Sequence, residues 1–229
     1  MSLHIGIVGC SAEGAALCYK TICTEGPEIM GPHAHPEVTL HTSSLSDYVR
    51  CLENGDIEGV GKLMLRSAHI LADAGADFLI CPDNTIHQAF DWVASRSPRP
   101  WLHIADVLSQ EAQDRGYTKV GLTGTSWLVR SEVYPVALHR HGLGFERPLA
   151  HEVDEIGRII MDELVYGHFK PDSIAYFQTV IDGLKNRGCD AVALACTEIP
   201  LIINDANSPL PTLDSNCLLA RAALRRATA

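Results

Sequence analysis

Two short segments carry the side chains best suited to proton transfer, and each follows an apolar run. CPDNTIH, residues 81–87, follows GADFLI and contains Asp83. GCDAVALACTEIP, residues 188–200, repeats the order of Gly, any residue, Asp, an apolar run and a polar cluster, and it contains Cys196. Aligned without a gap on the shared Gly-x-Asp, the segments place Asp83 on Cys196. The sequence therefore predicts that an acid and a thiol act as a pair.

A pair of this kind suits a reaction that removes a proton from one side of a carbon and returns it on the other side. Asp83, with an ordinary pKa of about 3.9, is deprotonated at neutral pH and is a ready but weak base. Cys196 needs a neighbouring donor, cation or helix N-terminus that favours its thiolate. Each residue also has an ordinary alternative: Cys196 as a buried structural cysteine, and Asp83 as the cap of a turn with Asn84 and Thr85.

The elements around these residues follow an alternating pattern of strands and helices, typical of an α/β protein. The predicted strands are residues 3–10, 37–44, 76–81 and 100–106, and the predicted helices are residues 12–23, 57–74, 87–95 and 107–114. Gly75 follows the second of these helices and is expected to end it.

The second half of the chain repeats the first. TKVGLTGTSW resembles HIGIVGCSAE, which places Gly6 on Gly121, Gly9 on Gly124 and Ser11 on Ser126. We therefore predict two pseudo-symmetric, doubly wound parallel-sheet domains, residues 1–100 with 208–229 and residues 101–207. Because ligands of parallel sheets bind beyond the carboxyl ends of the strands, the active site is expected in the cleft between the domains.

Composition narrows the class of ligand. The 229 residues are 46% hydrophobic, and 18 basic against 28 acidic residues give a net charge of -10, which argues against nucleic-acid and anionic-membrane partners. A small polar molecule is the expected ligand.

Eight cysteines without a secretory start indicate a reducing cytoplasm, and no apolar run approaches the roughly 20 residues of a membrane helix. GIVGCSAEG lacks dinucleotide-binding spacing, and His33 and His35 lack further metal ligands, so neither a dinucleotide nor a metal is predicted.

Over nearly its full length the chain resembles the aspartate/glutamate racemase superfamily of cofactor-independent racemases. The resemblance is carried by IGIVGC, NTIH, LHIAD, VGLTGT, DELVYGHFK and ACTEIPLI, in this order along the chain. It implies two α/β domains, a homodimer, and a pair of thiols that moves the α-proton of an acidic amino acid without pyridoxal phosphate. Cys196 matches the second thiol. The position of the first, usually Cys or, in one branch, Thr, is Asp83.

The resemblance also implies roles in substrate binding for six further residues, to which Arg50 is added as a candidate outside the motifs. Neutral donors to the substrate's α-carboxylate or amine are expected at Asn84, Thr85 and Thr197, with Ser11 and Thr125 as partners at the first strand of each half. Lys170 resembles the basic residue that meets the distal carboxylate of an acidic substrate, and Arg50 is a candidate for a second charge. Lys170 could also be an ordinary solvated lysine.

Two other functions remain open from the sequence. Other branches of the superfamily are isomerases or decarboxylases of small dicarboxylic acids that use one cysteine, and the replacement of the first thiol by Asp83 is compatible with such chemistry. A protein that only binds a small acid is a third alternative, which Cys196 within ACTEIP does not favour.

Overall fold

The computed structural model describes residues 2–229 and consists of two compact units, each with its own parallel sheet. The first unit comprises the residues up to 107 together with residues 216–229, and the second comprises residues 108–215. None of the helices in the described residues combines the length and the apolar character that crossing a bilayer requires.

The first unit has a three-stranded sheet. Its strands are β1 (Ile5–Gly9), β2 (Val38–Thr42) and β3 (Phe78–Ile80), in the order β2-β1-β3 and all parallel. Its first helices are α1 (Ala12–Met30), α2 (Leu45–Glu53), α3 (Ile57–Asp73), a 3₁₀ helix (Thr85–Ala89) and α4 (Phe90–Ala94).

The second unit has a four-stranded sheet. Helix α5 (Ile104–Asp114) leads into it, and the strands are β4 (Lys119–Gly124), β5 (Gly144–Glu146), β6 (Ala191–Ala195) and β7 (Thr212–Asp214). Their order is β5-β4-β6-β7, again all parallel. The helices are α6 (Ser126–Arg130), α7 (Val133–Arg140), α8 (Ala150–Asp162), α9 (Pro171–Asn186) and 3₁₀ helices at Leu164–Tyr166 and Ile199–Leu201, and α10 (Ser215–Thr228) returns the chain to the first unit.

Each sheet is part of a separate apolar core. In the first unit, Ile5 and Ile80 pack in one cluster with Leu219 of α10, and in the second unit Val192 packs in a cluster with Phe177 of α9. All five residues of β1 and of β6 are buried, as expected of parallel strands that are covered on both faces. The predicted α/β class with two parallel sheets is confirmed.

The Gly-x-Asp repeat marks the end of a helix in both units. Gly75 follows α3 with a φ of 96°, and Gly188 follows α9 with a φ of 88°. In this left-handed region a side chain is disfavoured, so glycine is the residue that lets the chain leave the helix and turn into the next strand. The prediction that Gly75 ends its helix is confirmed.

The aspartates of this repeat join neighbouring strands at their amino ends. Asp77 accepts a hydrogen bond from the His4 amide at 2.7 Å. Asp190 accepts from the amides of Thr118 at 2.7 Å and Lys119 at 3.0 Å, and from the Thr118 hydroxyl at 2.7 Å. The aspartate of the Gly-x-Asp repeat therefore joins β3 to β1 in the first unit and β6 to β4 in the second. These hydrogen bonds lie at the amino ends of the strands, opposite to their carboxyl ends.

One predicted strand is wrong. Within residues 100–106 only Trp101 forms an isolated bridge to β3, and α5 begins at Ile104, earlier than the predicted helix. The reason is a cap: the Nδ1 atom of His103 accepts from the amides of Ala105 at 3.1 Å and Asp106 at 3.3 Å. A side-chain acceptor that satisfies the first amides favours a helix over a strand.

Candidate active site

The two turns that carry the predicted acid and thiol occupy the same position in their sheets. Gly6 on β1 pairs with Leu79 on β3, and Gly121 on β4 pairs with Val192 on β6. The paired residues of β3 and β6 are thus 113 positions apart, which is the offset of the two segments in the sequence. Asp83 lies four residues after Leu79 and Cys196 lies four residues after Val192, so the acid and the thiol are equally far from the paired positions of equivalent strands.

Asp83 starts the turn after β3. Its Oδ1 atom accepts a hydrogen bond from the Ile86 amide at 3.2 Å, and the 3₁₀ helix begins at Thr85. Asp83 has intermediate exposure, while Asn84 and Thr85 are buried. One carboxylate oxygen thus caps the turn, the ordinary role considered above. Since a carboxylate has two oxygens, capping by one is compatible with proton transfer through the other.

The backbone of the same turn is held by a buried histidine. His87 Nδ1 lies 2.6 Å from the carbonyl oxygen of Asp83, and the amide of Ile104 approaches His87 Nε2 at 3.4 Å. Burial, followed by the neighbouring His103, lowers the pKa of His87 to about 3. The imidazole is therefore neutral at physiological pH.

Cys81 lies close to Asp83 but is not suited to act as a base. Its Sγ atom is 3.8 Å from the Asp83 carbonyl oxygen and is completely buried. Burial, followed by the charge of Asp83, raises the pKa of the Cys81 thiol well above its usual range. The thiol thus remains protonated.

Cys196, in the equivalent turn after β6, has a carboxylate as its neighbour. Its Sγ atom donates to Oε2 of Glu198 at 3.0 Å, and the hydroxyl of Thr197 donates to the same oxygen at 2.7 Å. All three residues are buried: the exposed fraction of Cys196 is 9% and that of Glu198 is 4%. This carboxylate is not the donor or cation expected to favour a thiolate, but at hydrogen-bonding distance it can accept the thiol proton as a general base during the reaction. Sequence reasoning missed Glu198, although its place two residues after the thiol was a usable signal.

Two hydroxyls cap the helices that follow the first strand of each unit. The Ser11 hydroxyl accepts from the Gly14 amide at 3.2 Å at the start of α1, and the Thr125 hydroxyl accepts from the Leu128 amide at 3.3 Å at the start of α6. Thr125, and not Ser126, is thus the counterpart of Ser11, because the loop after β4 is one residue shorter. A capping hydroxyl still carries a proton that it can donate to a ligand.

The predicted cations both form ion pairs within their own unit. Arg50, on α2, contacts Asp47. The Nζ atom of Lys170, the residue before α9, lies 3.2 Å from Oε1 of Glu163, which also accepts from Arg158 at 3.0 Å.

Glu163 is a buried carboxylate with several donors. The Ser173 hydroxyl donates to it at 2.6 Å, and this bond, together with those from Arg158 and Lys170, lowers the pKa of Glu163 to about 2. Lys170 is therefore fixed beside a permanent negative charge, and its side chain is 60% exposed.

Within residues 2–229, no three His, Cys, Asp or Glu side chains are grouped so that they could hold a metal ion. All eight cysteines are thiols.

Comparison with known proteins identifies the family of the chain. The sequence model of the Asp/Glu/hydantoin racemase family matches residues 7–223. The broad specificity amino-acid racemase RacX of Bacillus subtilis is 24% identical over 170 residues, which is 72% of this chain and 71% of the relative.

Solved structures show the same fold. An aspartate racemase homologue from Pyrococcus horikoshii superimposes with a TM-score of 0.84 at 28% identity and covers 100% of both chains. Glutamate racemase from Aquifex pyrophilus superimposes with a TM-score of 0.68 at 18% identity, over 96% of this chain and 82% of that chain, and this second similarity concerns the fold alone.

Proposed function

This chain belongs to the Asp/Glu/hydantoin racemase family; we propose that it is an amino-acid racemase that acts on an acidic amino acid without a cofactor, by proton transfer between Asp83, the substrate and Cys196. The observation that carries the proposal is the equivalence of the two turns. After the equivalent strand of each unit, the chain has one residue that can gain and lose a proton, and each has a built set of partners.

The proposed reaction has the following proton balance. The Asp83 carboxylate takes the α-proton from one enantiomer, the C–H electron pair moves into the α-carboxylate, and the Cys196 thiol gives its proton to the opposite face of the carbon. The result is an inverted substrate, a protonated Asp83 and a deprotonated Cys196. Proton exchange with solvent restores the starting state of the enzyme.

In the other direction Cys196 is the base. Its proton passes to Glu198, whose Oε2 atom already accepts the thiol hydrogen bond at 3.0 Å, and the resulting thiolate takes the α-proton. Asp83 must then be protonated in order to deliver a proton to the opposite face. A carboxylate with an ordinary pKa of about 3.9 is seldom protonated at neutral pH, so we expect kcat to differ between the two directions.

Substrate binding is assigned to neutral donors and to two cations. We propose that Asn84, Thr85 and Thr197, with the capping hydroxyls of Ser11 and Thr125, bind the α-carboxylate and the amine. Lys170 and Arg50 are proposed to meet the distal carboxylate. Lys170 would then share its charge between the substrate and Glu163, which holds the ammonium in place at 3.2 Å.

The test is incubation of each enantiomer of aspartate and glutamate in deuterated buffer, followed by proton NMR and chiral chromatography. Loss of the α-proton signal with appearance of the opposite enantiomer is expected. Asp83→Asn and Cys196→Ser should each abolish inversion, while Cys189→Ser, which removes a buried thiol just before the same strand β6, should retain it. Full racemisation by either of the first two variants rules out the two-base proposal.

Asp83 itself favours a second candidate, an isomerase or decarboxylase of a small dicarboxylic acid that uses only Cys196. Such an enzyme needs one thiol, and Asp83 stands where the family usually has the other. Turnover of maleate or of a substituted malonate, with no α-proton exchange in any amino acid, would establish this reaction instead. The homodimer and the cytoplasmic location stay predictions, and the dimer can be tested by the mass of the protein in solution.

A further inference from the structure

We propose that His87 is a positioning residue for Asp83: its imidazole links the Asp83 carbonyl to the start of helix α5 and so fixes the direction of the carboxylate. The inference rests on the proposed function, because it concerns how the base of that reaction is held. His87 lies in the NTIH segment, where the mechanism so far gives it no role.

The hydrogen bonds of His87 determine which of its nitrogens carries the proton. The Ile104 amide can only donate, so His87 Nε2, at 3.4 Å, is the acceptor and has no hydrogen. The proton of the neutral ring then lies on Nδ1, which donates to the carbonyl oxygen of Asp83 at 2.6 Å. The ring thus connects the first amide of α5, which donates to Nε2, to the carbonyl of Asp83, which accepts from Nδ1.

The environment of His87 keeps the ring neutral and stationary. The side chain is 3% exposed, and the pKa of about 3 means that the bridge does not change its protonation over the physiological range. Phe90 stacks on the ring, with centroids 5.4 Å apart and planes inclined by 6°, and His103 packs edge-on with centroids 4.8 Å apart. Rotation of the imidazole would break both ring contacts as well as both hydrogen bonds.

The bridge acts on the backbone of the residue whose side chain does the chemistry. Asp83 follows Pro82 in a short turn, and Oδ1 of its carboxylate accepts a hydrogen bond from the Ile86 amide at 3.2 Å. A carbonyl fixed to a helix N-terminus and a carboxylate oxygen fixed to an amide together determine where the second oxygen points. A displacement of a base by about 1 Å can lower a rate about 100-fold.

Three substitutions of His87 test separately its hydrogen bond to Asp83 and its hydrogen bond from Ile104. The amide nitrogen of an asparagine takes the place of Nδ1, so His87→Asn keeps donation to Asp83. The longer side chain of His87→Gln reaches the place of Nε2 and keeps the acceptor for Ile104, while His87→Leu removes both bonds. Gln88→Leu is the matched control, since the side-chain amide of Gln88 donates to the carbonyl of Thr85, and not to that of Asp83, at 3.0 Å in the same turn.

The deciding measurement is deuterium exchange compared with inversion for each enantiomer. When Cys196 removes the α-proton, a misplaced Asp83 cannot complete inversion, so deuterium should appear in the recovered starting enantiomer. For the other enantiomer exchange and inversion should fall together, because Asp83 starts the reaction. We expect His87→Leu to lower inversion about 10- to 100-fold with this asymmetry, and we expect His87→Asn to recover most of the rate.

Two results would overturn the inference: wild-type inversion by His87→Leu, or an equal fall of exchange and inversion for both enantiomers, which would indicate only a loss of folded protein. If His87→Leu does not fold, the Asn and Gln variants decide, since the inference requires His87→Asn to be faster. Asp83→Asn separates this failure from that of the proposed function. An active Asp83→Asn removes the two-base reaction itself, whereas an inactive Asp83→Asn beside an active His87→Leu removes only the role of His87.

Discussion

The turns after β3 and β6 have the same place in the fold and different chemistry. Asp83 is held by an amide and, through its carbonyl, by the neutral ring of His87, whereas Cys196 is held by the carboxylate of Glu198. As a proposed base, an aspartate is already ionised and requires only a fixed direction, while a thiol with a pKa of about 8.5 requires a general base that takes its proton during the reaction. The partners of each turn thus match the need of its own acid/base group.

At the amino ends of the same strands, in contrast, the two units are alike. Asp77 and Asp190 are identical residues, and each binds the first amides of the neighbouring strand. Where the duplicated residue only joins strands, both copies keep it. Where the residue would act on a substrate, the copies differ, because inversion needs one group that removes a proton and another that delivers one.

Among the substitutions that test this comparison of the two turns, Glu198→Gln is expected to have the largest effect on the rate. The amide cannot take the Cys196 proton as a general base, so kcat/KM should fall about 100- to 1000-fold, in the range of a lost general base. The measurement is the initial rate of racemisation by polarimetry from each enantiomer. Glu146→Gln, which removes a carboxylate 2.8 Å from Lys119 in the same unit, is the control and should stay within about threefold of the wild type. An unimpaired Glu198→Gln would mean that the thiolate forms without this carboxylate.

Asp83→Cys, which makes the two turns alike in their acid/base group, should have a smaller effect. Thr85 stands where the second turn has Glu198, so the new thiol lacks a carboxylate acceptor and stays mostly protonated at neutral pH. We expect kcat to fall about tenfold at pH 7 and to recover as the pH rises toward about 8.5, the ordinary thiol pKa. Rate profiles between pH 6 and 9 check this.

The double substitution Asp83→Cys with Thr85→Glu reproduces the Cys-x-Glu spacing of the second turn. It should raise kcat at pH 7 above that of Asp83→Cys alone, because the carboxylate can take the thiol proton as a general base while the sulfur takes the α-proton. A pH-independent rate in the single variant would contradict the view that each turn supplies the partner its group needs.

The sequence was sufficient for the parts that depend on local pattern. Apolar runs, Gly75 and the repeated Gly-x-Asp predicted the strands and the helix end, and the 113-residue offset placed Asp83 on Cys196. These features depend on backbone conformation and on burial, which neighbouring residues largely determine.

The contacts that define the partners of each turn were not predicted, because they join distant parts of the chain or depend on side-chain direction. His87 meets Ile104 across 17 positions, and the capping nitrogen of His103 turned a predicted strand into a helix. Glu198 is close to Cys196 in sequence, but only the geometry of the turn brings its carboxylate to the thiol. Lys170 was predicted to meet the substrate, and its pairing with Glu163 adds a partner that no local pattern indicated.

The smallest expected effect concerns the shared role of the two strand-joining aspartates and is seen in stability alone. Asp190 accepts three hydrogen bonds at 2.7–3.0 Å, whereas Asp77 accepts one from His4. Asp190→Ala should lower the free energy of unfolding by about 1–2 kcal/mol, and Asp77→Ala by roughly half as much, since both sites are partly open to water. Urea denaturation of the two variants checks the order.

The pH dependence of the stability of Asp190→Ala tests whether the lost hydrogen bonds cause the destabilisation. Burial opposes ionisation of Asp190, but the bonds from Thr118 and Lys119 outweigh it and lower the pKa below the usual 3.8. A carboxyl with a lowered pKa in the folded state stabilises the protein above its unfolded pKa, and this contribution is lost as the pH falls through the folded value. The gap in stability between wild type and Asp190→Ala should therefore be constant from pH 5 to 8 and narrow below about pH 4. A gap that persists at low pH would assign the loss to packing, and the comparison of the two aspartates would then not be one of hydrogen bonds.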